Sequence, residues 1–199
     1  LLTHLFVLGQ GKAEKGFVIG VNNTSLHGAS IDGQDSLLND ISLFPNKLGE
    51  SKTGFNLGFY LNKKFKDKLA YQLELSYSKR GMYNNYENLN ANLDYLTSSH
   101  FINVFPESEL SFLLGVEASL LQNQENWGEL SIGEYDVGGV GGVSYKLPLT
   151  GVSISARYSH GFANVTSVDL IGRSRNYRNR TFNIALQYEP FVNRRLYKN

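Results

Sequence analysis

From residue 53 onward the chain repeats short stretches of strict apolar/polar alternation, and a period of two dictates β-strands with unlike faces. Phe55, Leu57, Phe59 and Leu61 share one face, opposite Gly54, Asn56, Gly58 and Tyr60. Leu69, Tyr71, Leu73, Leu75 and Tyr77 alternate in the same way with Ala70, Gln72, Glu74, Ser76 and Ser78. A soluble barrel would turn the apolar faces inward. Here the polar phase carries Glu74, Glu117, Asp136 and Arg157, which suits the inside of a barrel whose apolar faces meet lipid. The expected fold is all-β: an eight-stranded antiparallel up-and-down transmembrane β-barrel.

The pattern places strands at 16–26, 53–62, 69–82, 93–105, 109–122, 133–146, 151–163 and 178–190. Connections alternate between long (27–52, 83–92, 123–132, 164–177) and short (Lys63 to Lys68, Pro106 to Ser108, Leu147 to Thr150). Bacterial barrels have short periplasmic turns and longer outer loops, so the alternation assigns each connection to one side of the membrane. A spanning strand needs about 9–11 residues, which most of these segments reach. Strand 4 departs from the pattern. Leu93, Tyr95, Thr97, Ser99, Phe101 and Phe105 form one face while Ile102 and Val104 lie on the other, as a bulge or a locally apolar interior would produce. Tyr71, Tyr145 and Tyr188 fall near the periplasmic ends of strands, and Tyr135, Phe162 and Phe182 near the outer ends, as two aromatic girdles would.

No apolar run approaches the roughly 18 residues of a spanning helix, which is compatible with a barrel because alternation dilutes hydropathy. The net charge of +1 gives no pull toward nucleic acid, and the absence of cysteine excludes disulfides and thiolate chemistry. Residues 1–10 (Leu1-Leu2-Thr3-His4-Leu5-Phe6-Val7-Leu8-Gly9-Gln10) read as the remnant of a signal peptide. Residues 11–191 then form the barrel domain, and 192–199, with Arg194, Arg195 and Lys198, a short basic periplasmic tail.

Several segments resemble the PorT-like outer-membrane β-barrel (porin-family) proteins of Bacteroidetes. They are Gly16-Phe17-Val18-Ile19-Gly20-Val21-Asn22-Asn23-Thr24-Ser25-Leu26 and Glu74-Leu75-Ser76-Tyr77-Ser78-Lys79-Arg80-Gly81, the latter similar to a Glu-Leu-x-Tyr-x-x-(basic)-Gly segment of that family. Leu93-Asp94-Tyr95-Leu96, Asp136-Val137-Gly138, Arg157-Tyr158-Ser159-His160-Gly161-Phe162-Ala163-Asn164 and the late Phe191 extend the likeness over about residues 16 to 191. The resemblance implies an outer-membrane barrel and no reaction. One namesake belongs to the type IX secretion apparatus, so an accessory role in a secretion or envelope assembly complex is an alternative.

An eight-stranded barrel is just wide enough for side chains to fill it, and buried charges must pair. Glu74, Glu117, Asp136 and Arg157 are therefore expected to form an interior polar network centred on Arg157, with Gln72, Asn183 and Gln187 nearby. The run Gly138-Gly139-Val140-Gly141-Gly142 lies inside a strand with no helix after it, so it is no phosphate cradle. His4, His27, His100 and His160 lack metal-ligand spacing, and neither metal nor cofactor is expected. Ser159 and His160 are adjacent and point to opposite faces; Ser98 and His100 share a face. A lipid-modifying enzyme is thus a minor alternative, and a soluble lipocalin-like carrier, which needs an apolar inward phase, another.

Sites of specific function are expected in the connections. The 27–52 segment carries Leu37, Leu38, Ile41, Leu43 and Phe44 among acidic residues, and either packs over the barrel mouth or presents an apolar binding patch. Arg173, Arg175, Arg178 and Arg180 near the last outer loop are candidates for lipopolysaccharide phosphates or another polyanion. Lys63, Lys64, Lys66 and Lys68 crowd the first periplasmic turn. The expectation is a non-enzymatic barrel, monomeric, in contact with outer-membrane lipid. It would display surface loops for binding or envelope organisation, with an envelope or secretion-complex protein as a possible partner.

Overall fold

The computed structural model describes residues 13–28, 47–84, 89–127, 132–148, 150–170 and 173–190. Among the described residues the strands are β1 (Glu14–Gly28), β2 (Lys47–Lys66), β3 (Leu69–Asn84), β4 (Leu89–Val104), β5 (Leu110–Glu125), β6 (Tyr135–Lys146), β7 (Val152–Gly161), β8 (Thr166–Leu170) and β9 (Arg173–Tyr188). Each barrel strand pairs antiparallel with its neighbour, and β1 pairs with β9 to close the cylinder. Eight strands thus form the barrel wall, and the expected closed antiparallel barrel is the observed fold. The additional β8 resumes the edge that β7 leaves: β7 pairs with β9 as far as His160↔Arg180, and β8 takes over at Thr166↔Tyr177. Five residues intervene on one strand and two on the other, a wide bulge at 161–165.

The apolar phase faces outward all round. Phe17, Ile19 and Val21 of β1, Phe55, Leu57, Phe59 and Leu61 of β2, and Phe182, Ile184, Leu186 and Tyr188 of β9 are large and exposed. So are Leu75, Phe112, Leu114 and Ile154. Water would oppose such a belt, and lipid stabilises it. Tyr145 and Tyr188 mark one rim and Tyr135, Phe162 and Phe182 the other, as two girdles require. Leu114, 70% exposed, sits amid the belt. Leu114→Arg is therefore expected to cost about 2–4 kcal/mol in urea unfolding from lipid vesicles; an unchanged midpoint would put this face in water.

The strand ends differ from expectation in one consistent way. The predicted loop 83–92 is largely ladder, since β3 and β4 stay paired to Asn84↔Leu89. The predicted loop 27–52 begins and ends as strand, with His27 opposite Lys47. Within 164–177 lie β8 and the start of β9, and the Lys63–Lys66 stretch of the first short turn belongs to β2. Outside the belt, at either end, a ladder needs no apolar outer face, so polar sequence that reads as loop still pairs. On the inward side of β4 the departure from expectation is Phe105, which is exposed at a φ of 60° and leaves the face expected for it. Leu93, Tyr95, Thr97, Ser99 and Phe101 all point into the barrel and are buried, whereas Leu96 and Ile102 face out. The locally apolar interior holds there, and a register shift against β5 beside Asp94 and Tyr95 accompanies it.

Candidate functional site

Inward-facing residues stack in three layers. At the short-turn, periplasmic end lie Asn62, Gln72, Asn103 and Gln187, all buried. In the middle lie the charges. Arg157 Nη1 donates to Glu74 Oε2 at 2.7 Å, and Arg80 Nη2 donates to Glu117 Oε1 at 3.2 Å. Arg80 Nη1 also lies 3.6 Å from Asp136 Oδ2. Ser159 Oγ donates to Glu117 Oε1 at 2.6 Å and Asn179 Nδ2 to Asp136 Oδ2 at 2.8 Å. Above the charges is an apolar plug of Leu26, Met82, Ala91, Leu93, Tyr95, Trp127, Val165 and Tyr177.

The four predicted interior residues thus do point inward, but the network has two centres rather than one on Arg157. Arg157 holds Glu74 alone, while Glu117 and Asp136 gather round Arg80. Arg80 was available to the same reasoning, because it continues the phase of Gln72, Glu74, Ser76 and Ser78. Each guanidinium also lies over a ring, Arg80 over Tyr95 at 5.3 Å and Arg157 over Phe101 at 5.1 Å. Gly142 stands opposite Arg157 across the β6–β7 ladder. A Cβ there would come 3.0 Å from Arg157 Cγ and 2.4 Å from the Ala156 carbonyl oxygen. The glycine-rich run therefore serves packing inside β6. The space left among the charges is about 40 Å³, enough for no more than a few waters.

Outside the barrel, Ser98 Oγ lies 3.1 Å from His100 Nε2, and the Tyr71 hydroxyl lies 2.5 Å from His100 Nδ1. Sequence reasoning found the Ser98–His100 pair without its third member. Both edges of β4 are taken by β3 and β5 along 96–104, which commits this stretch of backbone to the two ladders. No group of three or more metal-binding side chains occurs among the described residues. Leu37, Leu38, Ile41, Leu43 and Phe44 lie outside the described residues, as do residues 1–10 and 192–199.

A closed barrel with a lipid belt, two girdles and a charged, filled lumen defines the class: a bacterial outer-membrane β-barrel. Among solved structures, Neisserial surface protein A (NspA) is similar at 16% identity over 89% of this chain and 99% of its own, with a TM-score of 0.50. Ail, the attachment invasion locus protein of Yersinia pestis, shows 14% identity over 89% and 98% with a TM-score of 0.48. The outer membrane protein OprG from Pseudomonas aeruginosa shows 13% over 89% and 96% with a TM-score of 0.45. These likenesses concern the fold alone. No protein-family model and no curated protein matches the chain.

Proposed function

We propose that this outer-membrane barrel is a non-enzymatic anchor that displays surface elements for binding or envelope organisation. The observation that carries the reading is the filled lumen beneath an apolar plug, which supports an anchor over a conduit or a ligand chamber. At the outer end the ladders continue past the belt and form a rigid support for what lies beyond them. The connection 29–46, with its mixture of apolar and acidic residues, is the proposed contact segment for a protein partner.

A lipid-modifying role is disfavoured by the commitment of the backbone around Ser98 and His100 to the sheet. A soluble carrier would need the reverse of the observed faces. The PorT-like reading, with membership of a secretion or envelope assembly complex, rests on the sequence segments alone. Purified protein in a phospholipid bilayer tests the anchor: the expected results are no stable large conductance and no hydrolysis of the surrounding phospholipid. Steady channel steps would replace the anchor by a pore, and hydrolysis abolished by Ser98→Ala would replace it by an enzyme.

A further inference from the structure

The outward phase of β1, β2, β7 and β9 changes character above the belt. Beyond Val21, Tyr158 and Phe182 the same faces carry His27, Lys47, His160, Arg178 and Arg180. The ladders place them together: His27 stands opposite Lys47 on one side and Arg178 on the other, and Arg180 stands opposite both Ser25 and His160. Directly opposed residues lie about 5 Å apart at Cβ, so the cluster is contiguous over four neighbouring strands, roughly 15 Å.

Among the described residues none of these five side chains takes part in an ion pair, although six ion pairs form elsewhere. Burial first, and then Arg180, Lys47 and His160, push the His27 imidazole below its usual range. Arg178 and Arg180, two residues apart on one face of β9, lack a carboxylate partner among the described residues, an arrangement that an anion would relieve. Lys47 Nζ donates to Ser51 Oγ at 2.9 Å and His27 Nε2 lies 3.1 Å from Ser25 Oγ, whereas the arginines keep donor capacity. Arg180 Nε is buried without a hydrogen-bond partner, and Arg178 Nε has only Asn164 Oδ1, at 3.3 Å, from the bulge at 161–165. Bulges re-aim side chains in this way beside functional sites.

The cluster also has a defined depth. Phe162 packs against His160, ring centroids 6.0 Å apart, and with Phe182 belongs to the outer girdle. Girdle rings sit at headgroup level. Lys47, Arg178 and Arg180, with the two histidines beside them, therefore stand where the phosphates of outer-leaflet lipid lie, and guanidinium groups match phosphate oxygens by paired N–H donors. We propose that His27, Lys47, His160, Arg178 and Arg180 form a binding site for the phosphate groups of outer-leaflet glycolipid, lipid A. Its acyl chains lie along Val21, Tyr158 and Phe182 below. The proposal rests on the outer-membrane reading and goes beyond it by giving the barrel a preferred lipid on one side.

The test uses the full chain in phosphatidylcholine nanodiscs doped with lipid A, with bound lipid counted by native mass spectrometry and folding followed separately by heat-modifiable gel migration. Wild-type protein is expected to retain lipid A above its bulk share. Arg178→Gln combined with Arg180→Gln should lower that retention roughly ten-fold or more, as loss of two cations beside an anionic surface implies. Dephosphorylated lipid A should be retained no better than phosphatidylcholine. Lys66→Gln with Lys68→Gln, at the opposite end, should change nothing. Equal retention of the dephosphorylated lipid, or full retention by the double arginine variant, would overturn the site. Equally tight capture of soluble inositol hexakisphosphate would overturn the lipid as its source. Failure of the wild type to fold into discs at all would instead strike at the outer-membrane reading.

Discussion

Replacing Arg80 by leucine will destabilise the barrel more than any other single change in its interior charge layer. Arg80 is buried against two carboxylates, Glu117 at 3.2 Å and Asp136 at 3.6 Å, whereas Arg157 answers to Glu74 alone. Removing one member of a buried pair costs about 3–5 kcal/mol because the other charge is left without compensation. Arg157→Leu should fall in that range, and Arg80→Leu, which strands two carboxylates, at its upper end or beyond. The same physics predicts a rescue. Arg157→Leu combined with Glu74→Leu removes both charges and should recover most of the loss, since an apolar pair often replaces a buried ion pair at little cost. Equilibrium urea unfolding in lipid vesicles measures all three. Equal, small effects for the two arginine variants would mean that water, and not the guanidinium groups, balances the carboxylates.

The charge layer also shows how far alternation alone leads. Strand phase put Glu74, Glu117, Asp136 and Arg157 inside and Leu73 and Leu75 on the lipid side, because the belt needs apolar residues and a narrow lumen tolerates paired charge. Arg80 follows the same rule one step farther along β3, beyond the point where the outward residues stop being apolar. Lys79 faces out there, so the contrast between faces that marks a strand is lost.

The inward face of β4 was obscure for a related reason. Leu93 and Tyr95 belong to a core above the belt, where the interior is apolar and the exterior wet, so the pattern inverts within one strand. Pairings between distant positions have no periodic signature at all. The basic rim is such a case: Arg178 and Arg180 drew notice in sequence, but only the ladders bring His27, Lys47 and His160 beside them.

The apolar plug hangs on a residue outside every strand. Trp127 follows β5, is buried among Leu26, Met82, Leu93, Tyr95, Val165 and Tyr177, and donates its indole N–H to the Asn92 carbonyl oxygen at 2.7 Å. Trp127→Ala would empty the largest side chain from this core and remove that hydrogen bond, a loss of about 3–5 kcal/mol for truncating a buried aromatic. Trp127→Phe keeps the ring and drops the hydrogen bond, so its cost should be nearer the 1 kcal/mol of one such bond plus the lost volume. Because Trp127 is the only tryptophan in the chain, its emission reports the plug in the wild-type protein directly. Tyr95 links the layers, packing in the plug while lying over Arg80. Arg80→Leu should therefore move the Trp127 emission toward that of exposed indole at lower urea than in the wild type, whereas Leu114→Arg should not shift the emission of the folded protein. An emission already solvent-like in the folded wild type would show that no such plug closes the barrel. The lumen would then be open to the outside down to its charges.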